Sequence, residues 1–576
     1  MNKETILKQL SRRNFIRNTV IAATGVALLP SSLTSCKKDD REKPGNYAGF
    51  NEGVASFDPS QDKVILWTRY TPSDYGKLTP SIVLDVAKDK GFKTVIVSQS
   101  VEVDTDSDYT VYVDVNRLQS NTKYFYRFRN EKTKAISVTG ETKTLPAPGD
   151  VSEVKMAVVS CSNFQAGLFN VYGAIAKSDA DIVVHLGDYI YEYGAGSYGT
   201  NPSTIALNRV HKPAGEIITL EEYRTRYRQY RSDAQLQKAH QLKPFICVWD
   251  DHEIANNAYK DGAENHQPGE GDYFTRKMSA IQVWHEYLPA RVQDNATIYR
   301  SFDIDNFVSL HMLDTRIAGR DKQLEYANYL TPTGLNGPKF LSDWQNPQRT
   351  LLGGEQRNWL VSKLNSSTSK WQVLGNQVLM GKMYIPAELL LIIGQIASGS
   401  TDPALFIRYN TVVTELITIK TRLLNNDPTL TAAEKARVQT VVPYNLDAWD
   451  GYPVERELIY KSATGKKLIS LAGDTHNAWH SDLIDINANK TGAEFATPSV
   501  SSPGFESVFG NNPATLAGFE QSNTFLIDDL KYLDASRRGY VMASFTKSEA
   551  KAEWRFINTL TSQSTATVTG KIVVES

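Results

Sequence analysis

Six short apolar runs in this chain each end in a group of residues able to bind metal or move protons. KMAVVSC stops at Cys161, with Ser162 and Asn163 behind it. DIVVHLGD stops at Asp188, with Tyr191 three positions on. FICVWDD ends in Asp250 and Asp251, followed by His252, Glu253, Asn256 and Asn257. NFVSLHMLDTR ends in Asp314 and Arg316, WQVLGNQ in Asn376 and Gln377, and KLISLAGDTH in Asp474 and His476. A carboxylate at a buried strand end is costly unless it is paired, metal-bound or used as a helix cap. Helix capping explains one such tail taken alone, but not several on a shared edge. Together they supply at least three carboxylates, two histidines, a thiol and a phenol, with too few arginines to neutralise them. A multi-metal centre satisfies all of them at once.

The donor types narrow the ions. A thiolate and a phenolate beside a carboxylate and a histidine favour a high-charge transition metal such as ferric iron over magnesium. Carboxylates with amide oxygens suit calcium. Asp188 is the natural bridge, since one carboxylate has an oxygen for each ion, and Tyr191 is spaced to reach back to one of them. Tyr189 and Tyr193 read as packing aromatics, and Glu192 as a partner that orients a ligand. Paired metals suit phosphoester hydrolysis, in which they clamp the attacking and leaving oxygens. His252 either protonates the leaving alkoxide or only orients Asp251. Arg316 either holds a phosphate oxygen or pairs with Asp314.

The elements that must position these residues follow from periodicity. From Lys155 onward, apolar strands alternate with amphipathic helices predicted at 167–177, 219–240, 274–288 and 354–366, an α/β pattern. Active crevices in open α/β sheets lie at the carboxyl ends of the strands, so six tails are expected to share one rim. Residues 45–147 instead carry short β-rich runs with turns every 8–12 residues, which predicts a small β-sandwich. LPAPGD at 145–150 reads as a linker. The resulting division is a signal segment at 1–35, a β-sandwich domain at 36–147 and a catalytic domain at 150–576. A helical insertion spans about 384–442, where surface covering or shaping of the cleft is the expected role. The last 40 residues are expected to finish a second sheet.

The bulk numbers are those of a soluble globular protein: 576 residues, 41% hydrophobic, 22% charged, formal net charge -1. No overall field recruits nucleic acid or an anionic membrane, so no nucleic-acid recognition is expected. The three cysteines form no disulfide framework and no CxxC pair. Cys247 lies inside an apolar strand and reads as core. At the N-terminus, Arg12 and Arg13 precede an apolar stretch from Thr19 to Pro30, too short to span a bilayer. SRRNFIR resembles the twin-arginine export motif, which carries folded and metal-loaded proteins. LTSC resembles a lipoprotein cleavage box, with Cys36 as the lipidated residue, and KKDD resembles a surface-export tag. The expected location is outside the cytoplasm, lipid-anchored in the periplasm or on the outer cell surface. The membrane is then met only through the N-terminal lipid, and the export machinery is a partner.

GDYIYE, VWDDHEIANN and GDTH together resemble the PhoD-type alkaline phosphatase family of metallophosphoesterases. VASFDPSQDKVILWTRY, SCSN, LDTR, GNQ, DAWDGYP and TPSVSSPG fit as well, and the resemblance covers about 50 to 560. It implies a four-layer α/β/β/α catalytic domain preceded by a fibronectin-like β-domain. It also implies ferric iron on Cys161, Asp188, Tyr191 and His476, and calcium on Asp188, Asp474, Asp251 and Asn257. Catalytic roles fall to His252 and Arg316. The implied activity is hydrolysis of phosphate mono- and diesters at alkaline pH, for phosphate scavenging. Phe57 stands where the family often has glycine, and the 384–442 insertion is long. A narrower phospholipid, polymer or nucleotide phosphodiesterase is the first alternative. A non-catalytic metal-binding surface lipoprotein is the second.

Overall fold

The computed structural model describes residues 48–71, 81–331, 334–397 and 402–576. The export and lipidation reading, including Cys36, lies outside them. Among the described residues, no helix is long and apolar enough to cross a membrane.

Two large sheets organise the chain. The first has nine strands, in the order Thr567–Glu575, Ala550–Ile557, Gly539–Thr546, Glu153–Val159, Ile182–His185, Pro244–Cys247, Val54–Phe57, Val64–Arg69 and Thr110–Val115. The second has seven, in the order Arg300–Ile304, Val308–Met312, Trp371–Gly375, Lys467–Ala472, Lys490–Ala496, Ala478–Ile484 and Leu530–Asp534. The centre of each sheet is parallel. Its strands are continuous apolar runs because both faces are covered. Val158, Val184 and Ile246 of one sheet share a core with Leu310, Val373 and Ile469 of the other, so the sheets pack face to face. Leu313, Leu374 and Leu468 pack outward with Leu360 and Leu364 of the helix Gly353–Ser366. Helices cover both outer faces, giving an α/β/β/α arrangement.

The N-terminal residues are not a separate body. Val54–Phe57 pairs in parallel with Pro244–Cys247, with Ser56 opposite Pro244. Alternation along these strands serves two cores. Val54, Val64 and Leu66 face a four-stranded sheet that carries Ile82, Leu84, Tyr124 and Tyr126. Ala55, Phe57, Ile65 and Trp67 face the large core. The sandwich therefore shares one of its sheets with the catalytic fold.

Two sequence expectations are corrected. The span 219–240 is two helices, Leu220–Arg231 and Ala234–Leu242, because the Asp233 carboxylate accepts from Gln235 N and Leu236 N and starts a new helix. The last strands extend the first sheet, not the second: Gly539–Thr546 pairs antiparallel with Glu153–Val159. Within the insertion, Tyr384–Pro386 pairs with Val441–Pro443 as a two-stranded ribbon, and the helices Ala387–Ala397, Pro403–Leu424 and Ala432–Gln439 lie between these strands in the chain. Cys247 is a buried free thiol in its strand.

Candidate metal centre

The strand tails meet where the two sheets face each other. Five residues that follow strand ends here, Cys161, Asp188, Asn257, Asp474 and His476, have φ between 54° and 62°. Non-glycine residues seldom adopt this left-handed conformation, and its cost is tolerated when the surroundings over-determine it. Those surroundings are visible. Cys161 N donates to Gly187 O at 3.1 Å and Ser162 N to Asp188 O at 2.8 Å, locking two neighbouring tails together. Glu253 gathers a third tail: its carboxylate accepts from Asp188 N at 2.9 Å, Tyr189 N at 2.5 Å and Asp250 N at 2.7 Å. His185, which burial holds neutral with its pKa down at about 3, accepts from Gly187 N on Nδ1 at 3.2 Å. A Cβ on Gly187 would stand 2.3 Å from Asp250 N, so only glycine lets these two turns touch.

All the residues expected at the site converge, and all are buried. Ligand atoms of Cys161, Asp188 and His476 lie within 4.8 Å of one another. The same is true of Asp188, Asp251 and His252, and of Asp250, Asp251 and Asp474. Asp188 belongs to two of these groups. The Tyr191 hydroxyl donates to Asp188 Oδ2 at 3.0 Å, lies 3.1 Å from His476 Nε2, and is met by Ser502 Oγ at 2.7 Å. His476 Nδ1 sits 2.9 Å from Pro503 O, so its proton goes there and the Nε2 lone pair faces Tyr191. Asn257 N donates to Asp251 Oδ2 at 2.5 Å, and Asn257 Nδ2 donates to Glu264 Oε2 at 2.5 Å.

His252 is held from outside the cluster. Its Nδ1 lies 2.5 Å from Glu192 Oε2, and the other Glu192 oxygen accepts from Asn256 N and Asn265 Nδ2, each at 2.8 Å. Burial alone would push the Glu192 carboxyl up. His252 and the Asn256 and Asn265 donors outweigh it and hold the pKa at about 2. The residue that orients His252 is thus Glu192.

Arg316 departs from the reading that pairs it with Asp314. It is fully buried, and its side chain turns away from Asp314, whose carboxylate caps Arg316 N at 2.8 Å. Its guanidinium donates to Asp250, to Asp447 at 2.9 Å and to Asp474 at 2.9 Å, and lies 3.6 Å from Asp251. Each guanidinium nitrogen donates to a carboxylate, so the side chain ties three strand and loop ends together. Asp447 and Ser502 are the main residues that strand-tail reasoning missed. Both lie in segments, DAWDGYP and TPSVSSPG, whose signal is similarity and not periodicity.

The residues fit bound cations. Asp188, Asp250, Asp251, Asp447 and Asp474 are five buried carboxylates, against the guanidinium groups of Arg316 and Arg320. Burial pushes the Cys161 thiol well up, and the Asp188 charge pushes it further. A cation among these groups offsets both effects.

Paired sheets whose parallel strand ends converge on carboxylates, imidazoles, a thiol and a phenol are the kind of site a phosphoric ester hydrolase uses. The comparisons with known proteins agree. Residues 156–554 match the PhoD-like phosphatase model, and residues 35–146 match the PhoD-like phosphatase N-terminal domain. The alkaline phosphatase D of Bacillus subtilis (strain 168) is 32% identical over 526 residues, which are 88% of this chain and 77% of that protein. The solved structure of PhoD superposes with a TM-score of 0.72 at 30% identity, covering 92% of this chain and 91% of that one. The chain belongs to the PhoD-like phosphatase family.

Proposed function

We propose that this phosphoric ester hydrolase is an alkaline phosphatase and phosphodiesterase that works through ferric iron and calcium. The observation that carries this reading is the placement of Asp188 in two ligand groups, one with Cys161 and His476 and one with Asp251 and His252. In it, Cys161, Asp188, Tyr191 and His476 hold the iron, and Asp188, Asp251, Asn257 and Asp474 hold calcium. The bound ions supply positive charge that polarises the phosphoryl group and acidifies water. His252 is the proton donor to the leaving alkoxide: Glu192 holds Nδ1 and leaves Nε2 for the transfer. Arg316 acts as a positioning residue that fixes Asp250, Asp447 and Asp474 around the ions. A scavenging role outside the cytoplasm, with twin-arginine export and a lipid on Cys36, completes the proposal and rests on the N-terminal sequence.

The test is metal content and visible spectrum on protein expressed without residues 1–36. About one iron per chain is expected, with a charge-transfer band that Tyr191→Phe abolishes, and calcium-dependent turnover of bis-para-nitrophenyl phosphate. Colourless protein carrying only zinc or manganese would remove the iron assignment. Loaded protein with no turnover of any phosphate ester would remove the activity.

A further inference from the structure

A cleft of about 720 Å³ opens beside the metal centre. That is many times the volume of a phosphoryl group, so the cleft has room for an organic group as well. Two of its walls touch imidazoles of the site, those of His252 and His476. Tyr193 lines it and packs its ring 5.1 Å from that of His252. Tyr198 lines it and places its hydroxyl 3.1 Å from His476 Nδ1. Asn265, also in the lining, donates to the Glu192 that holds His252. Since the proposed proton donor to the leaving oxygen lies behind Tyr193, the alcohol portion of an ester is placed on this side.

The charges in the cleft are closed off in pairs. Arg538 is the one cation among its described lining residues. Its guanidinium pairs with Glu506 Oε1 and also donates to Ser536 O and Ser501 O. Glu216, the other acid in the lining, is paired with Arg276 at 2.8 Å. The remaining polar lining is uncharged, from Ser197, Thr200, Asn201, Ser507 and Asn511. A lining of neutral donors and phenol rings accepts a neutral group. A second anion would meet a cation already neutralised by Glu506 and would face the Glu506 and Glu216 carboxylates, and such like-charge contacts are how sites reject competitors.

Resting on the hydrolase reading above, we propose that this cleft is a leaving-group subsite selective for uncharged alcohols, and that the Glu506–Arg538 pair sets the selectivity. Glu506 neutralises the one cation that an anionic leaving group would use. Neither residue belongs to the catalytic machinery.

The experiment compares kcat/KM for glycerol 1-phosphate and 3-phosphoglycerate, whose leaving alcohols differ by a carboxylate. The metal-loaded wild type is expected to prefer the neutral alcohol by about tenfold or more. Glu506→Gln, which frees the Arg538 guanidinium, is expected to bring the ratio to within about twofold of unity. Asn511→Lys adds a cation at an exposed position of the same wall. It is expected to lower the ratio in the same direction without risk to folding. Equal wild-type rates on the two esters, or a ratio unmoved by both variants, would overturn the subsite. Loss of all turnover in the wild type, including on bis-para-nitrophenyl phosphate, would instead overturn the hydrolase reading on which it rests.

Discussion

Glu192 shows how much a single side chain contributes at this site. Its carboxylate fixes the His252 tautomer, because an acceptor on Nδ1 keeps the ring proton there and turns the Nε2 lone pair or proton toward the cluster. Glu192→Gln is expected to lower kcat by about 100-fold, with KM nearly unchanged, since the amide cannot hold the imidazolium formed in proton transfer. The same substitution has a stability signature. His252 and the Asn256 and Asn265 donors hold the native carboxyl down at about 2, against its ordinary value of 4.5. Between those values the unfolded chain binds more protons than the native one. The contribution of Glu192 is therefore complete above pH 4.5 and lost as pH falls toward 2, worth about 3 kcal/mol at most. Urea unfolding at pH 6 and pH 3 should show a larger acid loss in wild type than in Glu192→Gln. At this scale the sequence was legible for Cys161, Asp188, Asp474 and His476, which stand at the tails of apolar runs. It was silent on what Arg316 does, because all four carboxylates around that guanidinium come from other strand ends and a distant loop.

At the scale of the element, the turns after the parallel strands matter more than the strands. Gly187 lies at φ +99°, with its missing Cβ against Asp250 N. Gly187→Ala would force the Asp188 turn away from the Asp250–Glu253 turn. It is expected to cost about 3 kcal/mol or more, with a lower Tm and reduced metal content in the purified protein. The control Gly269→Ala also has positive φ but has nothing within 4 Å of its Cβ, and it should retain metal. Strand and helix types followed from periodicity, since apolar runs buried on both faces differ plainly from amphipathic stretches. The break at Asp233 did not, because a single capping carboxylate interrupts an otherwise continuous helical pattern.

At the scale of the molecule, the N-terminal strands are part of the catalytic sheet. Val54–Phe57 covers the edge of Pro244–Cys247, the strand that delivers Asp250, Asp251 and His252. Arg231 adds a second tie, stacking over Trp67 at 4.4 Å and donating to Glu52 O at 3.3 Å. Protein beginning at residue 148 would expose that edge and the faces of Trp67 and Phe57 partners. It is expected to be insoluble, or to bind no metal, when soluble yield and metal content are compared with protein beginning at residue 37. A soluble, metal-loaded fragment would show that the edge strand is dispensable.

The sequence by itself determined the residue chemistry and the class of fold. Apolar runs of strand length, each ending in donors of one kind or another, are local patterns, and burial physics turns local patterns into elements with polar tails. Only the tertiary structure decided how those tails combine. Which sheet each strand joined, which carboxylates Arg316 neutralises and which acid holds His252 all depend on pairings between residues 60 to 393 positions apart. Such pairings are chosen by the packing of whole sheets, and no local period encodes them.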